Sequence, residues 1–176
     1  MERKERQQQL EDLSYRDMLT GLYNRNKYIR VVESYAGKRL HHIGVAYIDL
    51  NGLKKMNDVH GHGSGAGLIC KAASAIAEVF PENAFRVGGD EFVVAEAELE
   101  ETRFLKKIEQ LHEEMEKRKV SVSVGVLWRE EETDIVGMLK QADNIMYEEK
   151  KKYGLTHTNT VIATYAFDNS SGFTHQ

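Results

Sequence analysis

Ala84-Phe85-Arg86-Val87-Gly88-Gly89-Asp90-Glu91-Phe92-Val93-Val94-Ala95 decides the fold class. Two short β-prone runs, Ala84 to Val87 and Phe92 to Ala95, flank Gly88-Gly89-Asp90-Glu91. That is a hairpin pattern, with the glycines expected to supply the positive φ of a tight turn. Upstream, Ile43 to Leu50 is rich in Ile, Val and Tyr and reads as a buried strand. A short helix is expected from Leu53 to Val59, then a glycine-rich turn from Gly61 to Gly65. An Ala-rich helix follows from Leu68 to Phe80, closed by Pro81, the only proline.

Further upstream, Asn24 to Lys38 reads as a helix ending near Gly37, and Glu2 to Arg16 as a polar helix with only Leu10 and Leu13 apolar. Downstream, Phe104, Ile108, Leu111 and Met115 recur at helical spacing. Val120 to Leu127 is a further strand, and Ile135, Met138, Leu139, Ala142, Ile145 and Met146 form a second helical stripe. Thr160 to Tyr165 is expected to add a last strand. Strands and helices alternate around one central hairpin. The fold class is therefore α+β, a mainly antiparallel central sheet with flanking helices, not a doubly wound parallel sheet.

The 176 residues suit one domain. With a formal net charge of −4, the chain offers no broad basic footprint, so a nucleic-acid partner is not expected. Cys70 is the only cysteine, which fits a reducing compartment. No apolar run is long enough to span a bilayer and the N-terminus is charged rather than signal-like, so the expected location is cytoplasmic, with no membrane contact in this stretch.

Asp49 ends an apolar strand, where burying a carboxylate is costly without a partner. Asp90 and Glu91 sit at a hairpin tip, and neighbouring strand ends can bring these three acids together. Clustered carboxylates suit a hard cation such as Mg²⁺, which would bridge phosphate oxygens. The ordinary reading of Asp90-Glu91 is a solvated turn. The run Asp49-Leu50-Asn51-Gly52-Leu53-Lys54-Lys55-Met56-Asn57-Asp58 places a strand end, a glycine turn and a helix start in sequence. N–H groups at a helix start attract anions, Lys54 adds a point charge, and Asn57 carries both donor and acceptor for a base edge. An exposed helix surface is the ordinary reading of Lys54 and Asn57. Gly61 to Gly67 matches neither a dinucleotide fingerprint nor a P-loop. His60 and His62 lack further zinc ligands, and Cys70 reads as a buried, inert thiol.

Together these segments resemble the GGDEF domain of diguanylate cyclases, from about Asp17 to Tyr153. Asp17-Met18-Leu19-Thr20-Gly21-Leu22-Tyr23-Asn24-Arg25 resembles the family's opening signature. Asp49 to Asp58, Gly61-His62 with Gly65, Gly88 to Phe92, Ser123-Val124-Gly125 and Ala142-Asp143-Asn144-Ile145-Met146-Tyr147 follow in the family's order. The resemblance implies a fold similar to nucleotide cyclase and polymerase palm (ferredoxin-like) domains. It implies condensation of two GTP into cyclic di-GMP across a homodimer, a signalling transferase activity. Asp49, the Leu50 carbonyl, Asp90 and Glu91 would hold Mg²⁺, with Mn²⁺ as the alternative. Lys54, Lys150 and the Gly52-Leu53 backbone would carry phosphates, Gly88 and Gly89 would line the substrate, and Asn57 would bond guanine. Asp90, with Glu91, Lys54 and Lys150, would serve catalysis. The domain would span 17–165, residues 1–16 would be a signalling or linker helix after an upstream sensor in a longer chain, and 166–176 a disordered tail.

Three positions depart from that pattern. The family's second guanine contact, an Asp, is Ala66 here. A buried donor left without its acceptor costs about 1–3 kcal/mol, so weakened or relaxed base choice is expected. A phosphate-holding Arg falls at Gly154, where a neighbouring lysine cannot reproduce a bidentate fork. Residues 72–85 contain no Arg or Lys, so feedback inhibition by product is not expected. The competing reading is a catalytically degenerate module that binds nucleotide or a partner and passes a signal.

Overall fold

The computed structural model describes residues 2–156 and 164–167. The chain order is α1 (Glu2–Tyr15), α2 (Arg25–Tyr35), β1 (Leu40–Leu50), α3 (Leu53–His60), α4 (His62–Val79), β2 (Ala84–Arg86), β3 (Glu91–Ala97), α5 (Glu101–Lys117), β4 (Val122–Glu132), α6 (Ile135–Thr156) and β5 (Thr164–Phe167). The strands form one sheet in the order β2-β3-β1-β4-β5. β1 pairs antiparallel with both β3 and β4, and β2 with β3, whereas β5 runs parallel to β4. The expected mainly antiparallel sheet is what forms.

β1 is central and has a helical layer on each face, which explains why it reads as an unbroken apolar run rather than an alternating one. Ala46, Ile48 and Leu50 pack in one core with Ile69, Ala73 and Ile76 of α4 and Phe104, Ile108 and Leu111 of α5. Ile43 and Val45 pack in the other with Ile135, Met138, Leu139 and Ala142 of α6, beside Tyr28, Val31 and Val32 of α2. By contrast, α1 buries no residue, and Leu10 and Leu13 remain exposed.

Two glycine expectations need correction. Gly88 and Gly89 do not take positive φ; among the described residues the glycines that do are Gly21, Gly37, Gly52 and Gly61. What Gly88 provides is space, because a Cβ there would lie 2.5 Å from Glu91 Oε2. The stretch from Gly61 to Gly65 is also not a turn. Gly61 alone breaks the chain (φ 85°), capping α3 and starting α4, and Gly63 and Gly65 lie within that helix. The last strand runs to Phe167, two residues past its expected end and into the stretch expected to be tail, while 160–163 and 168–176 lie outside the described residues.

Gly125 marks a close approach of helix and strand. A Cβ there would fall on the Ala142 carbonyl and within 2.6 Å of the Met146 nitrogen, so α6 lies with its backbone against β4. This contact positions everything the last helix carries. Gly67, inside α4, meets nothing within 4 Å. Opposite signs follow for the same substitution. Gly125→Ala is expected to cost about 1–3 kcal/mol by overpacking, and Gly67→Ala to add about 0.5–1 kcal/mol through helix propensity; denaturant midpoints measure both.

Candidate active site

Asp49 sits at the C-terminal end of β1, opposite Glu91 at the start of β3. The ladder continues one step further, where the Leu50 N–H donates to the Asp90 carbonyl (3.0 Å). Strand pairing thus sets Asp49 opposite Glu91 at the strand ends, with Asp90 next along the chain. Asp49 is only 8% exposed. From α6, Lys150 Nζ donates to Asp49 Oδ1 (2.5 Å) and to the Leu50 carbonyl (3.0 Å).

The electrostatics report crowding of like charge. Burial, with the charges of Asp90 and Glu91, outweighs the bond and charge of Lys150, pushing the Asp49 carboxyl up to about 6. Burial also raises Glu91, helped by Asp90 and Asp143 and opposed by Lys150 and Arg25. Asp143, on α6, is raised by burial. Neighbouring acids held above the ordinary carboxylate range favour the approach of positive charge.

The donors are all oxygens, which suits Mg²⁺ or Mn²⁺ rather than zinc. Among the described residues no three Asp, Glu, His or Cys side chains converge to enclose an ion by themselves. A hard cation here would take two carboxylates and the Leu50 carbonyl, with its remaining ligands from water or phosphate. Mg²⁺ is commonly bound in that way.

Beside the acids, Gly52 adopts a left-handed conformation (φ 75°) and begins α3 with no side-chain cap, so the first N–H groups of that helix have no intrahelical carbonyl to bond. Lys54 is exposed one residue past Leu53. Asn51 is buried and fixes the turn by bonding Ser121 and Ser123 through its side chain. Further along α3, Asn57 packs its amide directly on Gly65 of α4, where any Cβ would overlap it. Its Oδ1 is buried and accepts no hydrogen bond. Ala66 follows on α4, half-buried. Gly154 is exposed in the last turns of α6, with nothing within 4 Å of where its Cβ would stand.

The structure also brings in residues that carried no site signal in the sequence. Arg86, at the end of β2, donates to both Asp17 oxygens (3.2 and 3.1 Å) and, through Nη2, to the Gly89 carbonyl (2.8 Å). Burial pushes Asp17 up, but bonds from Thr20 and Arg86 outweigh it and hold the carboxyl below its usual range. Arg25 donates to the Val87 carbonyl (3.0 Å). The hairpin turn is therefore braced from the N-terminal segment by two arginines. A single Arg before a glycine pair is too common to stand out, and only its reach to Asp17, 69 positions away, marks it. Tyr153 is the other addition, its hydroxyl 3.5 Å from where a Cβ of Gly52 would stand.

Residues 14–154 match the family described as "Diguanylate cyclase, GGDEF domain". The chain is 28% identical over 163 residues to the diguanylate cyclase DgcM of Escherichia coli K12, covering 85% of this chain and 39% of that protein. It is 30% identical over 162 residues to the signaling protein YkoW of Bacillus subtilis, covering 83% of this chain and 20% of that protein. The chain thus spans well under half the length of either relative. Its fold is similar to the coiled coil and GGDEF domain of DgcB from Caulobacter crescentus, a structure in complex with c-di-GMP. That similarity has a TM-score of 0.75 at 23% identity and covers 93% of this chain and 91% of that one. No helix of the described residues is long and apolar enough to cross a membrane. The ordered motifs, the antiparallel sheet and the carboxylates at its edge agree with the family match: this chain belongs to the GGDEF domain family of diguanylate cyclases.

Proposed function

We propose that this chain is a diguanylate cyclase that condenses two GTP into cyclic di-GMP, two copies each presenting one nucleotide to the other. The observation that carries this reading is the oxygen cluster of Asp49, the Leu50 carbonyl, Asp90 and Glu91 beside the uncapped start of α3. A Mg²⁺ ion held there would neutralise phosphate charge and lower the pKa of the ribose 3′-hydroxyl. The N–H groups of Gly52 and Leu53, with Lys54 and Lys150, hold the terminal phosphates. Asp90 takes the 3′-hydroxyl proton as the 3′-oxygen bonds to the α-phosphorus of the facing nucleotide. The bond from that phosphorus to the β-phosphate's bridging oxygen breaks, and pyrophosphate leaves. Gly88 and Gly89 keep the hairpin slim beside the substrate. Asn57 hydrogen-bonds the base through its side-chain amide. The domain runs from Asp17 through β5 (Thr164–Phe167), and α1 before it serves as a signalling or linker helix.

A degenerate module that binds nucleotide without turnover is the second reading. Ala66 and the bare Gly154 favour it, because each removes a side chain that the family uses on substrate.

Incubation of concentrated protein with GTP and Mg²⁺ is expected to yield cyclic di-GMP by mass spectrometry. Asp90→Asn is expected to lower the rate by about 10²-fold or more. Nucleotide bound without product at high protein concentration would instead establish the second reading. Ala66→Asp is expected to tighten GTP binding by roughly ten- to a hundredfold and to raise the preference for GTP over ATP; calorimetric titration with each nucleotide decides it.

The pH dependence has opposite signs for stability and for binding. The folded-state value of Asp49 lies above its unfolded one, so its contribution to stability is full below the ordinary aspartate range and is lost as pH rises through about 6. Cation binding needs the ionised carboxylate and gains over the same interval. In Tm measurements, Asp49→Asn is expected to gain on the wild type above pH 6, while Mg²⁺-GTP affinity of the wild type climbs from pH 5 to 7.

A further inference from the structure

We infer that Lys150 is an exchangeable occupant of the cation site, lying on the metal-binding oxygens in the nucleotide-free chain and moving to the triphosphate when metal and nucleotide enter. This rests on the proposed metal role of Asp49 and Leu50. The carrying observation is that one ammonium group touches both of those oxygens, Asp49 Oδ1 at 2.5 Å and the Leu50 carbonyl at 3.0 Å. Those are the two oxygens β1 contributes to the site. A divalent ion takes such oxygens at about 2.1 Å. An ammonium and a divalent ion on the same two oxygens would lie within a few ångströms of each other, where their like charges repel.

The fold makes the lysine the natural internal counter-charge. Asp49 is nearly buried and faces Glu91 across the strand pair, with Asp90 one step further. Lys150 meets them as an ion pair with Asp49. It reaches them because Gly125 lets α6 lie against β4. Three residues on, Tyr153 leans its hydroxyl over Gly52, so the same helix covers the start of α3 as well.

The consequence is coupling between ligands. A divalent ion alone must displace Lys150 with nothing to receive the ammonium, so it binds weakly. With a triphosphate at the start of α3, the displaced ammonium gains a new anionic partner, and metal and nucleotide bind together more tightly than either does separately. Lys150 thus discourages idle metal loading and joins the substrate's phosphates once metal arrives.

The test is Mn²⁺ binding to the full chain, followed by electron paramagnetic resonance, without nucleotide and with GTP. Lys150→Met is expected to raise Mn²⁺ affinity of the nucleotide-free chain about tenfold and to shrink the further gain that GTP gives. Lys150→Gln, which keeps a donor but loses the charge, should move the same way and guards against a folding defect in the first variant. Lys151→Met removes a nearby charge that pairs with Glu148 rather than Asp49, and should leave Mn²⁺ affinity unchanged. In the wild type, Mg²⁺ plus GTP should alter the reactivity of the Lys150 amine towards an acylating probe, read by peptide mass. Unchanged or weaker nucleotide-free Mn²⁺ binding in both Lys150 variants overturns the exchange. Asp49→Asn separates the two ideas. Loss of Mn²⁺ binding in that variant keeps the metal site even when the exchange fails, whereas binding indifferent to Asp49 and Lys150 alike removes the site itself.

Discussion

The antiparallel register of β1 with β3 is the constraint on which the site depends. It sets Asp49 against Glu91 and runs one step further to join Leu50 to Asp90. A slip of one residue would turn Asp49 to the other face, towards the apolar layer of α4 and α5. That slip is resisted along the whole strand. Ala46, Ile48 and Leu50 must enter one core while Ile43 and Val45 enter the other. Placement of the carboxylates is therefore stabilised by hydrophobic burial remote from them. The electrostatic cost of gathering three acids is borne by that burial and moderated by Lys150.

A second support acts on the hairpin turn, which has little packing of its own. Arg86 ties the Gly89 carbonyl to Asp17, and Arg25 holds the Val87 carbonyl. Asp17 is in turn fixed by Thr20, whose hydroxyl and N–H both donate to it (2.7 and 2.9 Å). Charge-assisted bonds of this kind are stronger and more directional than neutral ones. The opening Asp17-to-Arg25 signature is thus a brace for the hairpin, and it begins two residues after α1 ends. Any displacement of α1 is applied close to the segment that holds the turn carrying Asp90 and Glu91.

The elements legible in the sequence were those whose signal is periodic burial. The stripe from Ile135 to Met146 and the apolar run from Ile43 to Leu50 encode helix and strand directly, because their side chains fill the two cores. The carboxylates and Lys54 of the proposed site carry their sequence signal through ordered motifs. Glycines were less so, since composition does not separate positive φ from close approach. Gly88 and Gly65 serve space, for Glu91 and Asn57 respectively, whereas Gly52 and Gly61 serve conformation. Arg86 and Tyr153 were illegible because their meaning is entirely tertiary. Each acts on a residue far away in the chain, and neither belongs to a periodic or composition-biased run.

The two ends of the proposed substrate site are unequally furnished. At the phosphate end, the acids, the uncapped helix start and Lys150 converge from four separate elements, so loss of one cation at Gly154 leaves others in reach. At the base end, recognition falls on α3 and α4 alone, through Asn57 lodged on Gly65. The Oδ1 of Asn57 can accept a hydrogen bond from the exocyclic amine of guanine or of adenine, and so by itself does not tell them apart. Discrimination needs a second group that reads the ring N1, which is a donor in guanine and an acceptor in adenine. Ala66, with only a methyl group, reads neither. In the proposed site the hairpin acids are all present while the choice of base rests on one amide, so the residues constrain the proposed reaction more tightly than which purine enters.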